Sequence, residues 1–180
     1  TEMSGYSETA QNFPDNSVVP FTYKDGCYAL PLSESFNMMF VRTDIFDELG
    51  IKTPDTWDEF YQAATILQRN NLEVGIPSNI GMFATLLFQY GGSFYNDGIT
   101  GTEFDSEAAI TAFKMWTGLF SRYGFPLTYD FYNRFSSGEM PLAIADYTQY
   151  LKVQAASPEL SGRWKMTLIP GVKGDGGKAN

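Results

Sequence analysis

Residues 37–69, NMMFVRTDIFDELGIKTPDTWDEFYQAATILQR, decide the fold. Asn37–Arg42 is a mostly apolar run, the pattern of a strand covered on both faces rather than on one. Thr43 is placed to cap a short helix, Asp44 to Leu49, which Gly50 closes. Thr56-Trp57-Asp58-Glu59 then spells a capping box, with Thr at the cap and Glu three residues on. Behind it Trp57, Phe60, Tyr61, Ala64 and Leu67 recur at helical spacing, which predicts a helix running to about Arg69 with Trp57 on its buried stripe.

The same alternation continues outward. Glu73 to Pro77 reads as a brief strand, and Ile80 to Tyr90 as a largely apolar helix stopped by Gly91-Gly92. Asn96-Asp97-Gly98 to Gly101 is a surface turn. Asp105 and Ser106 open the best helix of the chain, with Ala109, Ile110, Phe113, Trp116, Thr117 and Phe120 as its apolar stripe and Gly124 and Pro126 at its end. Asp130 to Ser137 is a short helix closed by Gly138, Met140 to Ala145 a buried-type strand, Tyr147 to Ala156 a helix and Lys165 to Ile169 a strand. Upstream, Thr22 to Leu30 carries Asp25-Gly26 between two β-prone runs, a hairpin signal. Residues 1–20 are polar without periodicity, and Gly171 to Asn180 is expected to be loose. Strands alternating with helices predict an α/β domain with a central, mainly parallel sheet flanked by helices. The hairpin at one end and the bare strand at the other look like cuts through a larger protein.

Composition narrows the chemistry. Among 180 residues there are 12 Lys and Arg against 21 Asp and Glu. The net charge of −9 repels phosphate backbones and argues against a nucleic-acid partner. No His is present, which excludes Ser-His-Asp and Cys-His nucleophiles and any His-ligated metal. Cys27 is the single cysteine, so no disulfide within the chain and no Cys₄ zinc site can form. No run approaches the roughly 18–20 apolar residues of a membrane helix. The first residues lack a charged start, an apolar centre and a small-residue cleavage site. Aromatic residues reach 16%, enough that some of them can line a groove for a flat, partly apolar ligand while most fill the core.

Motif readings mostly fail on spacing. Gly171 and Gly176 stand where a phosphate loop would put them, but Gly177 occupies the position that needs Lys. Asn96-Asp97-Gly98 lacks the distal Glu of a calcium loop. Arg42, Lys114, Arg122 and Arg134 are scattered and read as surface residues. Glu34 and Asp146 each stand at the end of a strand, where α/β sheets bind ligands, and each is equally readable as a solvated or helix-capping carboxylate. No cofactor or metal is implied. Paired carboxylates of a glycosidase-like, carbohydrate-active domain remain the enzymatic alternative.

The order of the motifs carries a resemblance. Tyr28-Ala-Leu-Pro-Leu32, Asn37 to Phe46, Leu49-Gly50-Ile51 and Pro54 to Glu59 are followed by Tyr90-Gly91-Gly92-Ser93-Phe94 and Phe104 to Ala108. Phe135 to Asp146 and Leu168-Ile169-Pro170-Gly171 complete the series. From about residue 21 to 173 the chain resembles the extracellular solute-binding proteins of bacterial ABC sugar importers, the maltose-binding-protein-like superfamily. The resemblance implies one lobe of a two-lobe, periplasmic-binding-protein-like (type II) fold with sugar held between the lobes. It implies a remnant of the first lobe at 1–35, a second α/β lobe at 36–168, and an exiting crossover with a loose tail at 169–180. It also implies a carbohydrate ligand, an ABC permease as membrane partner, a monomeric state, no catalysis, and an extracellular place, periplasmic or anchored at the cell surface. Where the maltose-binding relatives carry a Trp after the strand matching Met140–Ala145, this chain has Asp146-Tyr147-Thr148-Gln149-Tyr150, so stacking falls to Tyr147 or Tyr150. Where they present aromatics at a helix start, Met82-Phe83 stand here, and the carboxylate at the lobe crossing is matched by Glu34 or Ser35. These seven residues are the expected ligand contacts.

Overall fold

The computed structural model describes residues 9, 11–24 and 26–173. The chain divides into two compact units, residues 1–36 and 37–180. In the first unit, a single helical turn at Asp15–Val18 leads to a two-stranded antiparallel hairpin, β1 (Thr22–Tyr23) and β2 (Gly26–Cys27). Thr22 pairs with Cys27 and Tyr23 with Gly26, so the expected hairpin is present, with Gly26 in the strand itself.

The second unit is built on a four-stranded sheet in the order β4-β5-β3-β6. Its elements are β3 (Asn37–Arg42), α1 (Thr43–Glu48), α2 (Trp57–Arg69), β4 (Val74–Gly75), α3 (Ile80–Gln89), α4 (Glu107–Ser121), α5 (Phe131–Ser137), β5 (Leu142–Asp146), α6 (Gln149–Ala156) and β6 (Trp164–Thr167). The sheet is mixed, where a mainly parallel one was expected. β4 and β5 run parallel, while β3 is antiparallel to both β5 and β6. A unit whose chain enters through β3 and leaves through β6 at the same end must run those two strands in opposite directions.

Strand parity sorts the core into two layers. Met39 and Val41 on β3, facing Ile144 and Leu142 on β5, belong to a core that includes Phe46 of α1, Trp57, Phe60 and Leu67 of α2, and Leu86 of α3. Phe40, opposite Ala143, belongs to the other core with Phe131 and Phe135 of α5 and Val153 of α6. Helices therefore cover both faces of the sheet, as the apolar run at 37–42 demands.

Local signals place the helices. The Thr56 hydroxyl accepts from the Glu59 N–H while the Glu59 carboxylate accepts from the Thr56 N–H, closing the capping box. The Ser106 and Asp130 side chains accept from Ala109 and Asn133 at the starts of α4 and α5. Thr43 lies inside α1 instead of capping it, and that helix begins without a side-chain cap. The buried residues of α4 are Ala109, Ala112 and Leu119, whereas Ile110 and Phe113 are exposed. The small alanines let α4 approach its neighbours closely, and at the same junction a Cβ on Gly92 would lie 3.0 Å from Ala108 and 2.5 Å from a Leu87 methyl. Gly171, expected in a loose tail, is held at both polar groups: its N–H donates to Asp55 and its carbonyl accepts from Trp57.

Arg42 overturns its reading as a surface residue, because it is only 7% exposed. It donates in bidentate fashion to the Asp44 carboxylate (2.9 and 2.8 Å) and through Nη1 to the carbonyls of Phe135 (2.9 Å) and Ser136 at the end of α5. A cation there satisfies carbonyls that the helix leaves unpaired. Burial raises the Asp44 pKa, and the contact with Arg42 outweighs it, holding that carboxyl below its ordinary value. Arg134, by contrast, is partly exposed, and it pairs with Glu73 at the surface.

Two outcomes follow. Trp57→Ala removes a 4%-exposed side chain and one donor to Gln89, and should cost about 3–5 kcal/mol in urea unfolding. Arg42→Met should cost about 2–3 kcal/mol. A carboxylate with a depressed folded pKa contributes stability that is complete above its unfolded value, about 3.9, and is lost as the pH falls through the lower folded one. Urea midpoints measured from pH 7 to pH 2 should therefore fall less steeply in Asp44→Asn than in the parent.

Candidate functional site

The register of the sheet brings several segments to one edge. β5 ends at Asp146, which pairs with Asn37 at the start of β3, and Thr167 at the end of β6 pairs with Met39 two residues further along. β4 is parallel to β5, so the residues after Gly75 run toward the same edge. There the chain turns through Ile76–Asn79 into α3, whose first residue, Ile80, is 64% exposed. The C-terminal ends of β4, β5 and β6 thus share an edge, the position where open α/β sheets bind ligands.

Each piece is fixed by its neighbours. The Asp146 carboxylate accepts from the backbone N–H (2.9 Å) and the hydroxyl of Thr148, which shapes the turn ahead of α6. Asn79 caps α3 by accepting from the Met82 N–H (3.1 Å), and the Ser78 hydroxyl donates to the Leu127 carbonyl. The Tyr129 hydroxyl donates to the Ile144 carbonyl (3.0 Å), and burial pushes its pKa up. The edge therefore presents a carboxylate, the half-buried Tyr147, the polar start of α3 and the exposed Ile80 on an ordered frame.

The expected contact residues are distributed unevenly. Asp146 and Tyr147 stand at this edge. Tyr150, the second residue of α6, instead packs its ring 5.5 Å from that of Trp164 on β6 and lines a separate recess. Met82 is wholly buried and Phe83 is 5% exposed, the reverse of what a contact surface needs. Both lie on the apolar stripe of α3 with Leu86 and Leu87, and Phe83 packs against Phe94, Phe104, Phe113 and Trp116. Glu34 and Ser35 lie in the first unit, where both are exposed. Sequence reasoning missed Asn79 and Ile80. The polar turn Pro77-Ser78-Asn79 between strand and helix was the available signal, and the parallel pairing of β4 with β5 gives it meaning.

With this geometry in view, the relatives are informative. The chain belongs to the bacterial extracellular solute-binding protein family, whose model matches residues 5–180. It is similar in fold to an ABC transporter solute-binding protein of Thermotoga lettingae bound with α-D-tagatose, with a TM-score of 0.72 and 24% identity, over 91% of this chain and 47% of that one. An ABC substrate-binding protein of Listeria monocytogenes in complex with cycloalternan gives 0.77 and 20%, over 97% and 48%. UgpB of Mycobacterium tuberculosis in complex with glycerophosphocholine gives 0.73 and 16%, over 96% and 47%. The layers correspond to one lobe of the periplasmic-binding-protein-like fold, and the chain spans about half the length of these structures. Among the described residues no helix is long and apolar enough to cross a membrane.

The edge depends on how closely β4 lies under its cover. A Cβ on Gly75 would come within 2.4 Å of the Met140 sulfur and 2.9 Å of the Tyr129 ring. Gly75→Ala should therefore displace Tyr129 and cost about 1–3 kcal/mol. Proton exchange of the Gly75 and Ile76 amides should quicken more than that of α2.

Proposed function

We propose that this chain supplies one wall of a sugar-binding site in an extracellular receptor, which carries its ligand unchanged to the permease of an ABC importer. The observation that carries this reading is the sheet edge, where Asp146, Tyr147 and the start of α3 converge at the ends of parallel β4 and β5. An aromatic ring covers the apolar C–H face of a pyranose, and a carboxylate accepts from its hydroxyls. Tagatose and cycloalternan in similar structures support a saccharide. Glycerophosphocholine in another keeps a phosphodiester solute as the second reading. Binding energy comes from contacts on both sides of such a ligand, and differential affinity for the closed state draws the walls together. The receptor is a monomer in this reading, and the crossover boundaries near 35 and 169 mark where the chain passes to a second lobe.

Calorimetric titration of this chain with a panel of mono- and oligosaccharides tests the proposal. One wall alone should bind weakly, with a Kd of roughly 1 mM or above. Tyr147→Ala should weaken that binding about tenfold, by analogy with ring stacking on bases, while the melting temperature changes little. Unchanged affinity in this variant would move the site elsewhere, and hydrolysis of nitrophenyl glycosides would replace the receptor with a glycosidase.

A further inference from the structure

The surface at the sheet edge continues past the start of α3. Ile80, which opens that helix at the edge, also lines a cavity of about 390 Å³ with Phe83 of the same helix, Phe104, and Ile110 and Phe113 of α4. That volume falls within the range of about 300–1,000 Å³ that small-molecule sites occupy. We propose that the solute is an aryl glycoside, with its sugar ring at Asp146 and Tyr147 and its aryl aglycone in this cavity. The proposal rests on the reading of the sheet edge as a sugar-binding wall.

The cavity has the chemistry of an aglycone site and lacks that of a sugar site. Ile80 and Phe83, three residues apart, share one face of α3, and Ile110 and Phe113 share one face of α4. Phe83, too deeply buried to meet a sugar at the edge, backs the cavity together with the buried Ala109. Its ring lies 6.4 Å from that of Phe104 and 6.2 Å from that of Phe113, in tilted and edge-on contacts that hold both in place. Polar groups are scarce in the lining. The Trp116 indole nitrogen is buried, and Lys114 offers a long apolar stem whose ammonium can remain in water. The hydroxyls of a sugar ring placed here would leave water without finding partners, whereas an aryl ring has none to lose.

Exposure supplies the driving force, and continuity fixes the occupant. Ile80, Phe104, Ile110 and Phe113 are 44–64% exposed, an apolar patch of the kind that marks a binding surface. Rings already ordered by their neighbours lose little freedom when another packs on them. Because Ile80 belongs both to the edge and to the cavity, a group attached to a sugar at the edge has the cavity beside it.

Matched methyl and phenyl glycosides of glucose, galactose and mannose, titrated into the chain, give the test. The Thr148 amide, held by Asp146, reports on the edge, and the Ile110 δ1 methyl reports on the cavity. For the sugar that binds, the phenyl member should bind about tenfold more tightly than the methyl member. The phenyl member should shift both signals with the same Kd, and the methyl member only that of Thr148. Phenol should bind roughly tenfold or more weakly than the phenyl glycoside, because it lacks the linked sugar. Ile110→Gln, at an exposed position, should remove most of the difference within the pair, and the parent's shifts decide the matter if that variant fails to fold. Equal affinities within the pair, or a phenyl glycoside that moves Thr148 and not Ile110, would overturn the aglycone site and leave the sugar wall standing. Phenol binding as tightly as the phenyl glycoside would do the same. A Thr148 amide unmoved by every glycoside would overturn the sugar wall, and the aglycone site with it.

Discussion

The second unit depends on a single constraint: β3 has both faces buried and both edges paired. Met39, Phe40 and Val41 have no exposed surface, and their side chains alternate between the two cores. A one-residue slip of β3 against β5 would exchange Phe40 with its neighbours and place a phenyl ring where the α2–α3 layer is already filled. The register that prevents this slip also puts Asn37 opposite Asp146 and Arg42 opposite Trp164. The sheet edge and the recess are therefore consequences of one pairing. Arg42 makes it harder to lose, because its guanidinium ties the far end of the strand to the last carbonyls of α5.

What could be read from the sequence was local. Six apolar-run residues at 37–42 became β3 with the same bounds, because burial on both faces leaves its mark on every residue of the strand. The caps at Thr56, Ser106 and Asp130 were legible because they involve groups three residues apart. The direction of the strands was not, since it depends on which strand is the neighbour and not on composition. Arg42 was read as exposed because its partners, Phe135 and Ser136, lie more than ninety positions away. Ile110 and Phe113 were read as core because they stand at helical spacing. The stripe that faces inward is the neighbouring one, built on Ala109 and Ala112, where small side chains permit close approach.

The candidate site was legible to the same degree. The end of β5 could be located from one apolar strand followed by a polar turn, and the comparisons agree on the fold around it. Met82 and Phe83 misled because an aromatic at a helix start is equally suited to a ligand and to a core. Here the neighbouring Phe94, Phe104, Phe113 and Trp116 claim Phe83. The residue that precedes them, Ile80, faces outward because it opens α3 before the helix has turned its stripe inward.

Tyr147 and Tyr150 show why spacing alone cannot assign a surface. Three residues apart, they would share a face if both were helical. The Asp146 carboxylate binds the N–H and hydroxyl of Thr148, and that turn keeps Tyr147 ahead of α6, which begins at Gln149. Tyr150 lies within the helix, and helical side chains lean back over the preceding turn onto the layer beneath. The layer beneath is Trp164, already clamped by Phe40. One turn-forming carboxylate thereby divides two tyrosines between two surfaces: Tyr147 stays with the strand ends and Tyr150 with the edge strand.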